Sequence, residues 1–303
     1  MKFNNTCKIL LLILIIILII IKCKKNIKKN YESNNYSNNY SNELENKMKK
    51  YNVIFAGCCR SVEPFIKKNL QNIEECSKKF NNYSVIIYEN DSSDKTRQIL
   101  NENKRDNYHY IFEDNIKEPK RTKRLARARN LILDKVNEIN KDKYYQYLIL
   151  LDMDEANYQG TFVKTIHNCF LTDDWAVMTA NQNGNYYDIW ALRTKELNYD
   201  CIQECNFSRK PCSAYYKKYN SNELIDVDSA FGGTAVYKLS TIPYICKYNG
   251  QHENGKEKCE HVDFNKCIKN QGGKIYINTN FLNDGKFNFF QLFIFTINNF
   301  FTK

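Results

Sequence analysis

Proline and glycine are scarce in this chain, four and ten among 303 residues. So few backbone breakers exclude a collagen-like or Pro-rich architecture. Histidine is limited to four residues, and the twelve cysteines never fall in a Cys-x-x-Cys spacing. A structural zinc site therefore has little to build on. The region beyond residue 50 also lacks a strong charge. The whole chain is formally +11, but residues 1–50 hold ten Lys and three Glu, so +7 sits there and +4 is left for the other 253 residues. With no recognisable binding motif either, nucleic acid is not expected as a partner.

What is present fits a large folded region. A hydrophobic content of 43% with 14% aromatics excludes disorder for residues 51–303, which are enough for one large core or two small ones. Asn is very frequent, 42 residues, alongside Lys, Ile and Tyr. This looks like codon bias from an AT-rich genome, so a single surface Asn or Lys carries little functional weight.

The front end reads as separate from the fold. Ile9 to Ile21 are thirteen unbroken Leu and Ile between Lys8 and Lys22, short of the roughly 20 residues of a full membrane span. No small-residue cleavage site follows, so residues 1–25 are expected to be a signal anchor, or else a removed signal peptide, placing the protein at a membrane of the secretory pathway or an equivalent compartment. The basic cluster Lys22 to Lys29 would pull the downstream side toward the cytosol, which conflicts with a lumenal domain and leaves topology open. Residues 26–50, with NNYSNNYS at their centre, cannot bury enough apolar surface to fold and read as a flexible stalk. Asn35, Asn39, Asn82, Asn90 and Asn206 begin sequons, although chance alone supplies several in a chain this rich in Asn. Cysteines at 201, 205, 212, 246, 259 and 267 suggest disulfides of undetermined pairing, whereas Cys58 and Cys59, on an apolar run, read as buried thiols.

From residue 51 strand and helix patterns alternate. Strands are expected at 51–57, 84–90, 108–114 and 144–151, and helices at 62–80, near 94–103 and at 121–136. That alternation implies an α/β fold with parallel pairing, in which ligands bind beyond the carboxyl ends of the strands. Two acidic turns, Glu89–Asp94 and Asp152–Glu155, fall at such ends. Further on, 175–181 and 186–193 look like a strand pair across an Asn/Gly turn. A Cys-rich loop follows at 198–222, then a strand at 230–238 containing Gly232-Gly233, a helix at 260–270 and a strand at 274–278. The aromatic tail, 286–303, reads as a packed terminal helix rather than a membrane-surface one.

Asp152-Met153-Asp154 follows the apolar run LILL, so a buried strand would deliver both carboxylates to a cleft edge. A bare Asp-x-Asp more often marks a solvated turn or a helix cap. Hard oxygen ligands in this setting suit Mg²⁺ or Mn²⁺ shared with phosphates, Asp154 binding directly and Asp152 holding ribose or a metal-bound water. Gly232-Gly233 could let a ligand approach the backbone or form a β-bulge, and Tyr186, Tyr187 and Trp190 could stack on a ligand ring or simply belong to the core.

Four segments carry a resemblance to a known group. YENDSSDKT (88–96), RLARARN (124–130), YLILLDMDE (147–155) and CEHVDFNKCIKNQGGKIYIN (259–278) resemble, in order, the first nucleotide loop, the Ala-Arg-Asn helix, the Asp-x-Asp strand and the Glu-Asp helix and strand of GT-A, family-2-like glycosyltransferases. The Arg-Asn helix and FGG strand also resemble, more distantly, the capsule-associated α-mannosyltransferase group of fungi. The resemblance implies a GT-A type, Rossmann-like mixed sheet flanked by helices, with a nucleotide-binding half (51–155) and an acceptor/catalytic half (156–285). It implies metal-dependent transfer of a hexose from a UDP- or GDP-sugar to a glycan, glycoprotein or glycolipid acceptor, with Mn²⁺ or Mg²⁺. Carried over, Glu89, Asp91, Arg127, Arg129 and Asp152 would bind the nucleotide sugar, with Asp94 capping a helix. Glu260 would be the base that deprotonates the acceptor and Asp263 its reserve, and His261, standing where the family has Asp, would join Asp152 and Asp154 as a metal ligand. That departure leaves retaining or inverting stereochemistry open. Two other classes compete: a non-catalytic glycosyltransferase-like binding or scaffold subunit, and a sugar nucleotidyltransferase. The latter needs a Gly-rich phosphate loop after the first strand, where this chain has AGCCRSVEP with one Gly.

Overall fold

The structure, a computed structural model, describes residues 43–200, 202, 218–219 and 222–285. The apolar run, most of the stalk, most of the Cys-rich loop and the aromatic tail lie outside the described residues. Residues 43–48, read as stalk, are helical. Among the described residues no helix is long and apolar enough to cross a membrane.

Eight strands form one sheet. β1 (Asn52–Cys59), β2 (Asn82–Asn90), β3 (Tyr108–Glu113) and β4 (Tyr147–Asp152) come from the first half. β5 (Val177–Gln182), β6 (Leu224–Asp226), β7 (Thr234–Lys238) and β8 (Ile275–Asn283) come from the second. Their order is β3-β2-β1-β4-β7-β5-β8-β6. The first four are parallel; β7 then runs antiparallel to both β4 and β5, and β8 parallel to β5. The sheet is therefore mixed, and the first antiparallel pairing comes beside the strand carrying Asp152.

The first half forms as its pattern dictates. Val53 to Ala56 and Leu148 to Leu151 are buried, the continuous apolar runs of strands covered on both faces. Each large apolar side chain so buried contributes about 1.5–3 kcal/mol. Helices α1 (Glu63–Ser77), α2 (Thr96–Glu102) and α3 (Arg121–Ile139) connect these strands. Pro64 opens α1, where a missing N–H costs nothing, and Ile66, Leu70 and Ile73 share its buried stripe. The register sets Cys58 of β1 beside Asp152 of β4, so strand ends and helix starts gather along one sheet edge.

The second half departs from its pattern. No strand runs through 186–193; two isolated bridges, Asn185 with Lys218 and Arg193 with Ser229, are the pairing there. Side chains satisfy the neighbouring backbone instead of a ladder. Tyr186 Oη accepts from Phe231 N–H at 3.2 Å, and Asp188 Oδ2 accepts from Gly232 N–H at 3.0 Å. β7 starts only at Thr234, because Gly232 and Gly233 have φ of 67° and 81°, a left-handed turn that β-carbons resist. A Cβ on Gly232 would lie 2.2 Å from Ala180 O. The pair is thus a turn packed on protein, with no room left there for a sugar. Helices α4 (Thr161–Thr165) and α5 (His261–Asn270) complete this half, and a disulfide joins Cys246 to Cys267. Cys58, Cys59, Cys76, Cys169 and Cys259 are free thiols.

Candidate active site

The carboxyl end of β4 opens into a cavity of about 440 Å³. Asp152, Met153 and Asp154 line it from β4, Glu260 and His261 from the start of α5, and Arg121, Arg124 and Arg129 from α3. The turn after β4 is built to hold its shape. Asp154 Oδ1 accepts from Ala156 N–H at 3.0 Å, capping a short 3₁₀ turn. The buried Asn157 donates from Nδ2 to Asp152 O and Gly233 O, each at 2.9 Å, and accepts from Thr234 Oγ1 at 2.5 Å. One amide therefore ties the acidic turn to the glycine turn of the other half.

Arg129 is the electrostatic centre of the site. It is 3% exposed, with Nε 2.9 Å from Glu260 Oε1 and Nη2 3.4 Å from Asp152 Oδ1. Its guanidinium stands 4.9 Å from the Phe231 ring centroid. Burial works against its charge, but the carboxylates of Glu260 and Asp152 outweigh that and hold it well above the ordinary value. Nη1 is buried with no hydrogen-bond partner, an unused donor in a site suited to phosphate.

His261 is 2% exposed and stacks on Phe231 at 4.0 Å. Burial first, then Arg129, pushes its pKa well below the usual value, so the ring is neutral. Both ring nitrogens lack hydrogen-bond partners, and Nε2 lies 3.7 Å from Glu260 Oε1. Among the described residues no three or more His, Cys, Asp or Glu gather as a self-sufficient metal site, so Asp152, Asp154 and His261 do not converge as one. Two carboxylates on the cavity wall instead fit a divalent ion whose remaining ligands are water and substrate phosphate.

Several sequence-predicted residues are placed elsewhere. Glu89 is fully buried, ion-paired with Arg97 and accepting from Ser92 N–H at 2.9 Å. It shapes the loop after β2, while its neighbour Asn90 reaches the cavity. Asp91 accepts from Asn115 N–H at 2.6 Å and Ile116 N–H at 3.2 Å, which binds β2's loop to β3's. Asp94 accepts from Thr96 N–H at 3.0 Å, as expected of a cap, and also from Glu63 N–H at 2.9 Å, so one carboxylate serves two helix starts. Arg127 does not line the cavity; it forks onto Glu113 at 2.9 and 2.5 Å. Asp263 pairs with Lys258 at 2.5 Å and lines a different cavity.

Arg60, Asp188 and the α3 arginines Arg121 and Arg124 line the cavity although sequence reasoning did not single them out. Arg60 lies just past β1, and only its position in the loop AGCCRSVEP marked it. Asp188 sits in an aromatic stretch with no motif around it. Burial raises its pKa, against the N–H groups of Gly232 and Ala191 that stabilise its anion. Tyr187 and Trp190 join it on the wall. Three thiols, Cys58, Cys59 and Cys259, also face the cavity, and burial pushes Cys58 up to about 12, which leaves it protonated and unreactive.

A parallel sheet ending at an Asp-x-Asp turn, with an antiparallel strand beside it and an Arg–Glu–Asp cluster across the cleft, is the GT-A arrangement. A family model described as cryptococcal mannosyltransferase 1 matches residues 52–267, from β1 well into α5. The chain belongs to this family. The match spans β1 to β7 and reaches Glu260 and His261 on the cavity's second wall. No curated protein matches. Among solved structures, the mannosyltransferase PcManGT from Pyrobaculum calidifontis, in complex with GDP-Man and Mn²⁺, is 13% identical, covers 78% of this chain and 56% of its own, and has a TM-score of 0.44. Glucosyl-3-phosphoglycerate synthase from Mycobacterium tuberculosis, with Mg²⁺ and UDP, is 10% identical over 83% and 77%, with a TM-score of 0.47. S. aureus TarS 1–349 is 14% identical over 77% and 59%, with a TM-score of 0.39. The chain thus spans little more than half of PcManGT. With TM-scores below 0.5, these likenesses decide nothing about this member of the mannosyltransferase family.

Proposed function

We propose that the chain transfers mannose from a nucleoside diphosphate mannose, bound in the Asp152–Asp154 cavity, to a hydroxyl of a glycan or glycoconjugate acceptor. The observation that carries this reading is the cluster itself: two carboxylates at the end of β4 facing a cationic wall from α3, in a chain of a mannosyltransferase family. Sugar transfer breaks the bond from the anomeric carbon to the diphosphate, so negative charge grows on the leaving oxygen. Arg121, Arg124 and the open Nη1 of Arg129 offer cationic donors where that charge develops. A Mn²⁺ or Mg²⁺ held by Asp154, with Asp152 behind it, would neutralise the same diphosphate when bound. Arg129 fixes Glu260 by one oxygen. Oε2 of Glu260, with the Cys259 thiol at 4.0 Å, would accept the proton of the acceptor hydroxyl. Asp188 and the neutral His261 offer hydrogen bonds to sugar hydroxyls.

The apolar run at 9–21 supports membrane attachment in the secretory pathway as part of the same reading. Hydrolysis of a panel of UDP- and GDP-sugars by the purified chain, with Mn²⁺ and with EDTA, tests the activity. Release of one nucleoside diphosphate from its mannose donor should depend on metal and fall about a thousandfold in Asp154→Ala, for a loss of about 4 kcal/mol of transition-state stabilisation. Equal release in EDTA and in the variant would overturn the reading.

A further inference from the structure

A second cavity of about 440 Å³ shares a wall with the first and has no part in the chemistry above. The N-terminal turn of α5 divides them: Glu260 and His261 face one, Val262 and Asp263 the other. Trp190 connects them as well, since it lines the first cavity and donates from Nε1 to Asp200 Oδ2, in the second, at 3.2 Å.

The lining of this second cavity is cationic. Its acidic side chains are Asp200 and Asp263, against Arg193, Lys256, Lys258 and Lys266, with His252 beside them. Asp200 is committed to Arg193 at 3.1 Å, to His252 at 3.4 Å and to Trp190. Arg193 and Asp200 are both buried and cancel as a pair. Asp263 holds Lys258 at 2.5 Å. Lys256 and Lys266 therefore remain without an ion pair among the described residues, and Lys266 Nζ donates to the neutral Asn198 Oδ1 at 2.6 Å. Burial, then the proximity of Arg193, holds the Lys266 pKa below the ordinary lysine value. A cation in that position is stabilised by any anion that arrives.

We propose that this cavity binds an anionic substituent of the acceptor glycan, a carboxylate or a phosphate, with Lys256 and Lys266 as its counter-charges. The placement rests on the donor occupying the Asp152–Asp154 cavity: an acceptor anchored by its anion beyond Trp190 presents a neighbouring hydroxyl to Glu260. A neutral saccharide would leave two ammonium groups unanswered at the wall. The anion supplies selectivity between acceptors, and it takes no part in bond making.

Three disaccharides test this on the full chain: a neutral dihexoside, the same unit with one hexuronic acid, and the same unit with a 6-phosphate. Transfer kinetics and calorimetric binding without donor are both measured. The wild type should use at least one anionic acceptor with a KM about tenfold below the neutral one, and the better of the two identifies the anion. Lys256→Ala combined with Lys266→Ala should erase that difference while leaving the neutral KM and donor hydrolysis unchanged. Lys266→Arg, which keeps the charge, should retain it. Equal KM for all three acceptors in the wild type would overturn the proposal, as would a double variant that weakens neutral and anionic acceptors alike. If donor hydrolysis itself is absent, the donor reading fails. Calorimetric binding of the anionic disaccharides, lost in the double variant, would then still support the anion site, and no binding would overturn it.

Discussion

The two halves of the sheet reach the same cleft by different means. On the β3-β2-β1-β4 side, local order follows from periodicity. Apolar strands pair in parallel, amphipathic helices cover them, and the acidic turn is carried to the edge by β4. On the β7-β5-β8-β6 side the chain doubles back, β5 and β8 slip register between Thr179 and Asn181, and buried amides supplement the ladders. Asn181, Gln182, Asn265 and Asn283 each bond to backbone carbonyls or to one another within this region. An apolar core can tolerate repacking, whereas a buried amide network fails when one partner is removed. The β3-β2-β1-β4 side is thus the robust wall and the β7-β5-β8-β6 side the one that specifies position.

Substitutions at the joints between the halves put that contrast to the test. Arg129→Met should have the largest effect, because it strands Glu260 in the interior and leaves Asp152 without its cation. A loss of about 3–5 kcal/mol in urea unfolding is expected, with transfer abolished; a variant as stable as the wild type would show that the two walls are not locked through this residue. Gly232→Ala comes next, since a methyl must enter a left-handed turn facing Ala180 O. It should cost about 2–4 kcal/mol, with amide exchange quickening in β5 and β7 before β1 and β2; uniform quickening would erase the contrast. Cys246→Ser with Cys267→Ser opens a cross-link of sequence separation 21. It should lower stability by about 3 kcal/mol on the chain-entropy estimate, with reductant reproducing the shift in melting temperature. Arg127→Ala breaks only an ion pair whose arginine side chain is 55% exposed. A change under about 1 kcal/mol is expected, and transfer within twofold of the wild type would confirm that Arg127 stands outside the cleft.

The same contrast explains what could be read from the sequence. Strands β1 to β4 and helices α1 to α3 follow from runs and stripes that local burial produces. The Asp-x-Asp turn, Glu260 and Arg129 lay within segments whose order resembled the GT-A pattern, and all line the cavity. Glu89 matched that pattern by position, yet Arg97, the second residue of α2, draws its carboxylate inward. Nothing in a linear motif shows which of two neighbours turns toward the cleft. The strand expected at 186–193 failed because its side chains bond to distant backbone instead, Tyr186 Oη accepting from Phe231 N–H and Asp188 Oδ2 from Gly232 N–H, contacts more than forty residues away. Asp188 was invisible for that reason, since its role comes from the glycine turn it caps.

The position of β8 has a consequence for synthesis. It lies between β5 and β6, inside the sheet rather than at an edge, so the second half of the sheet waits for residues up to Asn283. A ribosome moving at about 5–20 residues per second needs roughly 7–26 s to travel from Asp152 to that point. Until Glu260 has emerged, the nascent chain has its acidic turn and its arginine helix but neither that carboxylate nor the strand that seats β5. The unpaired edge of β5 is then open to other strands, and crowding, chaperone supply and translation speed will bear on the yield of this enzyme through that single strand.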